Sequence, residues 1–336
     1  EYRTEHVRSF DAVGFISSSV FLSFLLLALT DGNAAWNTGG WTSPTILSFF
    51  AISALGLVVF LWTEFTVEHP LIELRLFKDF NFAVTNGILF LFGLGMFGST
   101  FLLPLYLQNS LGYTALQAGA VFLPVGILQA ILSPIAGLVS DRFNPKVPAF
   151  LGIALLSTSL AMNGTLSLFS MHSHIMVPLY IRGIAMGMLF TPLSTLALAR
   201  IPRQKMAQAS GMFNVIRQLG GSFGVAIIGT LLSRRIVYHT AMFGQAVDQY
   251  APAVKAIGFT LREFAQQAVG GPAAAATARA TALIASHVAQ QAFVRSVDDA
   301  FLFAAAVTFV GLFPILLLRT NRRGNKSGTP REPGIE

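Results

Sequence analysis

Eight apolar segments constrain this chain more than any other feature. They run Val13–Leu29, Thr45–Trp62, Phe82–Leu107, Leu116–Val139, Val147–Phe169, Ile175–Ala199, Ala207–Leu232 and Asp299–Leu318. Each has about the ~20 residues that a helix needs to cross a hydrocarbon core. A barrel strand needs about half that length. Composition agrees: 54% of residues are hydrophobic and 11% charged, where a soluble domain carries about 25% charged residues. The sequence therefore predicts an all-α polytopic membrane protein with eight transmembrane helices. The net charge of +7 does not point to nucleic acid, because the basic residues sit in short loops. With no cysteine in the chain, disulfides and thiolate metal sites are excluded.

Loop charge sets the orientation. Arg3 and Arg8, Arg75 and Lys78, Arg142 and Lys146, Arg200, Arg203 and Lys205, and Arg319 to Arg331 all fall on one side. The opposite short loops, 30–44, 108–115 and 170–174, hold no Lys or Arg. Both ends of the chain are expected in the cytoplasm. The chain opens at Glu1 on a charged stretch without a signal-peptide pattern, which suggests a start in mid-protein. We divide it into 1–80, two helices with cytoplasmic flanks; 81–232, five helices of a bundle; 233–298, a long outer segment; 299–318, the last membrane helix; and 319–336, a polar, Pro/Gly-rich tail of disordered composition. Within the outer segment, Val254, Ile257, Leu261, Phe264 and Ala268 recur at helical spacing. From Ala273 an Ala-rich run enters the last span without a breaker; if continuous, that helix projects well beyond the bilayer.

One span carries an expensive group. In Gln208–Leu232, Arg217 lies about ten residues in, ~15 Å along a helix, near the midplane. A guanidinium there costs at least ~2.5–3.5 kcal/mol unless it faces water or a partner. At 100° per residue, Ser210, Gly211, Asn214, Arg217, Gln218 and Gly221 form one polar wedge, with Met212, Val215, Leu219 and Ala226 opposite. The wedge is suited to a cavity or an interface between domains; the alternative is hydrogen bonding to neighbouring helix carbonyls. Arg182, in the outer third of its span, could be a cavity charge or could snorkel to the surface. Gly183/Gly187 and Gly220/Gly224 read as close-packing sites. Among the many phenylalanines, Phe97, Phe101, Phe122 and Phe190 are candidates for lining an apolar pocket, which periodicity alone cannot decide. His172 and His174 lack the further ligands a metal site needs. No nucleophile–base pair, phosphate loop or cofactor fingerprint occurs, so neither an enzyme nor a cofactor is expected. No acid lies deep in a span.

The loop after the fourth span reads Gly137-Leu138-Val139-Ser140-Asp141-Arg142-Phe143-Asn144-Pro145-Lys146. It resembles the signature loop of the major facilitator superfamily, G-x-L-[AS]-D-R-x-G-[RK]-[RK]. Gly137 would allow close helix approach, Asp141 would accept from amides of the next helix, and Arg142 and Lys146 would hold the positive side inside. Asn144 and Pro145 depart from the pattern. In the superfamily this loop is a conformational latch. Phe101–Gly126, Arg182–Leu198 and Ala209–Leu232 resemble the C-terminal half of the 14-helix drug:proton antiporters of the EmrB/QacA type. The resemblance spans about Asp11 to Leu318. It implies that the first two spans are linker helices and the other six a C-terminal bundle. It also implies proton-driven export of hydrophobic, often cationic or amphipathic compounds from a bacterial inner membrane. The candidate cavity or interface residues are then Arg182, Asn214, Arg217 and Gln218. Implied partners are the lipid bilayer, a small hydrophobic drug-like substrate, the proton gradient, a periplasmic adaptor and an outer-membrane channel. The proton-coupling carboxylate would lie outside this sequence. An importer of the same fold (a metabolite symporter), or a non-transporting membrane scaffold or inert fragment, are the alternatives.

Overall fold

The computed structural model describes residues 11–34, 36–67, 74–142, 144–246, 259–260, 263 and 273–318, Asp141 by its backbone alone. The described residues form helices and no strands: α1 (Ala12–Asp31), α2 (Pro44–Thr66), α3 (Phe80–Thr100), α4 (Leu102–Leu111), α5 (Ala115–Ala120), α6 (Leu123–Arg142), α7 (Lys146–Met162), α8 (His172–Leu198), α9 (Met206–Ala246), α10 (Ala273–Val310) and α11 (Leu312–Leu317). The pairs α3–α4, α5–α6 and α10–α11 each continue one span, giving eight helices among the described residues that are long and apolar enough to cross a membrane.

The interruptions have a common cause. α3 ends at Thr100, α5 at Ala120 and α10 at Val310, each four residues before a proline: Pro104, Pro124 and Pro314. Proline has no N–H to give to the carbonyl four residues back, and its ring crowds that carbonyl. Pro134, Pro178 and Pro192 stay inside continuous helices. Helix starts are capped locally: Asp11 accepts from the Gly14 amide at 2.8 Å, Asp79 from the Phe82 amide at 2.9 Å, and Thr114 forms a capping box with Gln117.

α1 and α2 pack as a hairpin, with Ser53 Oγ donating to the Phe21 carbonyl at 3.0 Å and Phe24 edge-on to Phe49. The hairpin meets the other spans partway along α9, where Asn33 Nδ2 (2.8 Å) and Trp41 Nε1 (3.0 Å) both donate to Thr230 Oγ1. The other six spans form a bundle around α3, which packs on α8, α9 and α10; α6 packs on α8, and α7 on α8 and α10. Its core includes Phe82, Ile88, Leu89, Leu102, Leu103, Tyr106, Ile153, Leu156 and Phe301. Leu123, Ile127, Ile131, Ile135 and Leu138 leave an exposed apolar stripe along α6.

Glycine sets the tightest spacings. A Cβ on Gly220 or Gly224 would collide with the carbonyl oxygens of Phe90 and Leu94, so α9 and α3 meet backbone to backbone. On the other side of the bundle, a Cβ on Gly183 would stand 3.0 Å from Val125 Cα, and one on Gly187 2.7 Å from Leu132 Cβ. At Gly137, where the sequence suggested close approach, the nearest atom is the Thr191 methyl at 3.4 Å. That is an ordinary contact; α6 and α8 come closest at Gly183 and Gly187 instead.

α9 does not stop near Leu232. It continues as one helix to Ala246, 41 residues or ~62 Å, about twice the ~30 Å hydrocarbon core. α10 runs 38 residues from Ala273, or ~57 Å. The two are joined by His239 Nε2 to Asp299 Oδ2 at 2.8 Å and Arg235 Nε to Asp299 Oδ2 at 3.5 Å. Beside them, buried Asp298 accepts the Leu166 amide at 3.0 Å, which ties the α7–α8 connection to α10. The amphipathic pattern at Val254–Ala268 falls almost wholly outside the described residues, as do the first ten residues and the tail.

Candidate functional site

The polar wedge of α9 is the starting point, because its neighbours decide what Arg217 does. Met212 and Phe213 are buried in the bundle, and so is Ala226 further along. Val215 and Leu219 are half-buried. Of the wedge, Gly211, Asn214 and Gln218 are exposed, Ser210 and Arg217 half-buried, and Gly221 buried. α9 thus turns its apolar side into the bundle and its polar side out of it. Lipid contact along that side would leave the Gln218 side-chain amide and N–H groups of Arg217 without partners, at several kcal/mol each.

Three helices hold Arg217. Its guanidinium carbon lies 5.8 Å from the ring centroid of Phe97 on α3 and 5.6 Å from that of Phe190 on α8. Phe190 is itself fixed edge-on to Phe213 of α9, centroids 6.0 Å apart. The glycines allow this placement: a Cβ on Gly93 would stand 2.5 Å from the Arg217 carbonyl oxygen, and one on Gly221 2.9 Å from the Phe97 ring. Nη2 of Arg217 donates to Asn214 Oδ1 at 3.4 Å, and Asn214 Nδ2 donates to the Ser210 carbonyl at 3.1 Å. Nε is enclosed without a partner. Cation–π contacts contribute about 0.5–1 kcal/mol when exposed and about 2 or more when desolvated. Two of them offset much of the ~2.5–3.5 kcal/mol that a guanidinium costs at this depth.

Arg182 sits differently. It is 1% exposed and lies between α8 and α3, neither on the open side nor reaching for the surface. Nη2 donates to the Met96 carbonyl at 3.0 Å, Thr100 Oγ1 at 2.7 Å and, weakly, Ser99 Oγ at 3.4 Å. These are the last residues of α3 before its proline-induced break. Arg182 therefore fastens the end of α3 to α8. The partners could not be read from the sequence, because they depend on the break and on helix register.

In the loop after α6, Asp141 and Arg142 form the last turn of that helix, and Arg142 is exposed. The side chain of Asp141 lies outside the described residues. Asn144 Oδ1 accepts from the Lys146 amide at 3.1 Å, at the start of α7. The residue that departs from the motif thus meets the opening turn of the next helix. Gly137 and Lys146 lie on α6 and α7, flanking this turn. No group of three or more His, Cys, Asp or Glu side chains is arranged to hold a metal among the described residues.

Residues 10–225 match the Major Facilitator Superfamily. The chain belongs to that superfamily. It is a multi-pass membrane protein with the all-helical architecture of these transporters. It is 28% identical over 316 residues to the uncharacterized MFS-type transporter YhcA of Bacillus subtilis, covering 93% of this chain and 58% of YhcA. It is 29% identical over 330 residues to the multidrug export protein EmrB of Escherichia coli, covering 94% of this chain and 59% of EmrB. The chain therefore spans less than two thirds of the length of either relative. A bacterial homolog of the human lysosomal transporter Spinster, solved facing inward, aligns with 92% of this chain and 66% of its own at 17% identity and a TM-score of 0.47.

Proposed function

We propose that this chain is the C-terminal portion of a 14-helix drug:proton antiporter of the EmrB/QacA type. α1 and α2 are then the linker pair, and the six remaining spans the C-terminal bundle. The substrates are hydrophobic or amphipathic compounds, exported from a bacterial inner membrane by alternating access around a midplane site. The observation that carries this reading is the outward-facing polar side of α9. Asn214 and Gln218 are exposed and Arg217 half-exposed at a depth where lipid cannot satisfy them, so they face a water-filled cavity or an opposing bundle. Arg142 and Lys146 flank the inner turn that would serve as the latch, with Gly137 and Asp141 on its α6 side. Arg182 supports the site by fixing α3, and hence Phe97, against α8.

The outward extensions of α9 and α10 form the natural dock for a periplasmic adaptor leading to an outer-membrane channel. Deleting 250–271 should abolish adaptor capture and leave membrane insertion intact; capture that survives the deletion removes this part of the proposal.

Everted membrane vesicles from cells producing the transporter test the main reading. Uptake of a fluorescent hydrophobic drug should follow the imposed proton gradient and collapse with a protonophore. Uptake that ignores the protonophore rules out proton antiport. Accumulation by whole cells, lost on uncoupling, would mark an importer instead.

A further inference from the structure

We infer that the compound held on the open side of α9 is an anionic amphiphile. Its carboxylate or sulfonate sits on the N–H edge of Arg217, and its apolar body lies along Phe97 and Phe190. This rests on reading that side as the transport cavity, and it narrows the substrate class. The sequence resemblance suggested compounds that are often cationic; the site points to the opposite charge.

Arg182 and Arg217 both lie inside membrane spans of the bundle, and the structure occupies them differently. Arg182 is enclosed and has three oxygens of α3 on one nitrogen. Nothing from outside can reach it. Arg217 is half-exposed, and its one hydrogen bond, to the neutral Asn214 amide, is at 3.4 Å. No carboxylate pairs with it among the described residues; Arg235, His239 and Arg295 pair with Asp298 and Asp299, in the second half of α10. Among the described residues, Arg217 is thus an intramembrane charge without a counter-charge.

Guanidinium chemistry sets what can bind. Its donors lie in the plane of the group, whereas aromatic rings attract the cation through their π faces. Contact with Phe97 and Phe190 therefore holds the charge in place without consuming the fork that a carboxylate or sulfonate engages with two parallel hydrogen bonds. The group cannot escape the problem by losing its proton, since arginine stays charged in proteins. A cationic ligand here would meet a like charge in a medium that screens poorly. A neutral ligand would leave the edge unpaired. An anion resolves both, and the two rings offer its apolar part a wall of matching character.

The test uses three probes with one apolar body: 8-phenyloctanoate, 8-phenyloctanamide and 8-phenyloctyltrimethylammonium. Each is titrated calorimetrically into the purified protein in zwitterionic-lipid nanodiscs at neutral pH, with empty nanodiscs subtracted. The anion is expected to bind about tenfold or more tighter than the amide, and the cation more weakly than the amide. R217Q should bring the anion to the affinity of the amide, and R217K should retain part of the preference. F97L/F190L should weaken the anion and the amide together, which keeps the idea testable if R217Q unfolds. A cation that binds as well as the anion, or an anion preference that survives R217Q, overturns the inference and leaves the cavity reading standing. If none of the three binds saturably, the cavity reading fails and the inference with it. If Arg217 is instead neutralised by a protein carboxylate, R217Q lowers the unfolding temperature and leaves the anion-to-amide ratio unchanged, which also overturns it.

Discussion

Gly224→Ala isolates the close contact between α9 and α3. A Cβ at this position falls against the backbone of Leu94, with the Leu94 Cα and carbonyl carbon each 2.8 Å away and the oxygen nearer still. Backbone atoms cannot rotate aside, so the helices must separate by roughly 0.6–1 Å to restore ordinary contact distances. Overpacking of this kind costs about 1–3 kcal/mol. Gly211, on the exposed side of the same helix, has nothing within 4 Å of its would-be Cβ. Gly211→Ala should therefore stabilise, by about 0.4–1 kcal/mol, through the lost freedom of the unfolded chain. The same chemical change on one helix has opposite expected signs, a gap of roughly 1.4–4 kcal/mol. Equilibrium unfolding in mixed micelles against dodecyl sulfate would measure both. The packing account is wrong if Gly224→Ala is as stable as Gly211→Ala. The contact also matters for the site, because the register of Arg217 against Phe97 depends on how closely these two helices lie.

Asp298→Ala strands the buried Leu166 amide and should cost about 1–3 kcal/mol in the same unfolding assay, whereas Asp298→Asn keeps an acceptor and most of the stability. Thr230→Val removes the acceptor shared by Asn33 and Trp41; at about 0.5–1.5 kcal/mol per bond it should loosen the α1–α2 pair from α9, seen as faster proteolysis of the connection after α2 with an unchanged bundle. Arg182→Met should be neutral or stabilising to unfolding, because the Ser99 and Thr100 hydroxyls already donate to the Met96 carbonyl and a buried charge is replaced by an apolar chain of similar length. Arg182→Ala, which leaves a cavity, should cost about 2–5 kcal/mol.

Much of this architecture was legible in advance, for reasons that can be named. Span number follows from apolar length alone, and the polar wedge of α9 follows from helical period. Phe97 and Phe190 were two of four candidate aromatics. Selecting them required knowing how α3 and α8 register against α9, which local sequence does not encode. The extension of α9 to Ala246 carried a signal that loop composition obscured: no Pro or Gly lies between Thr230 and Phe243, so nothing stops the helix. Proline positions marked three helix ends, at Pro104, Pro124 and Pro314, but Pro134 and Pro192 are absorbed without a break. Ser133 beside Pro134 meets Thr191 of α8 at 3.2 Å, a contact between helices that local sequence does not show. The Asp298–Leu166 and Arg182–Thr100 bonds join distant segments, so neither pairing has a local signature.

The central claim is that the polar side of α9 faces water at membrane depth. The natural absence of cysteine makes a direct measurement possible with single replacements at Asn214, Gln218 and Val58, the last an exposed position midway along α2. In sealed proteoliposomes, a membrane-impermeant methanethiosulfonate should label N214C and Q218C, while V58C should react only with a lipid-permeable reagent. If the two α9 positions are as inert to the impermeant reagent as V58C, the polar side of α9 does not face water and the account fails at its centre.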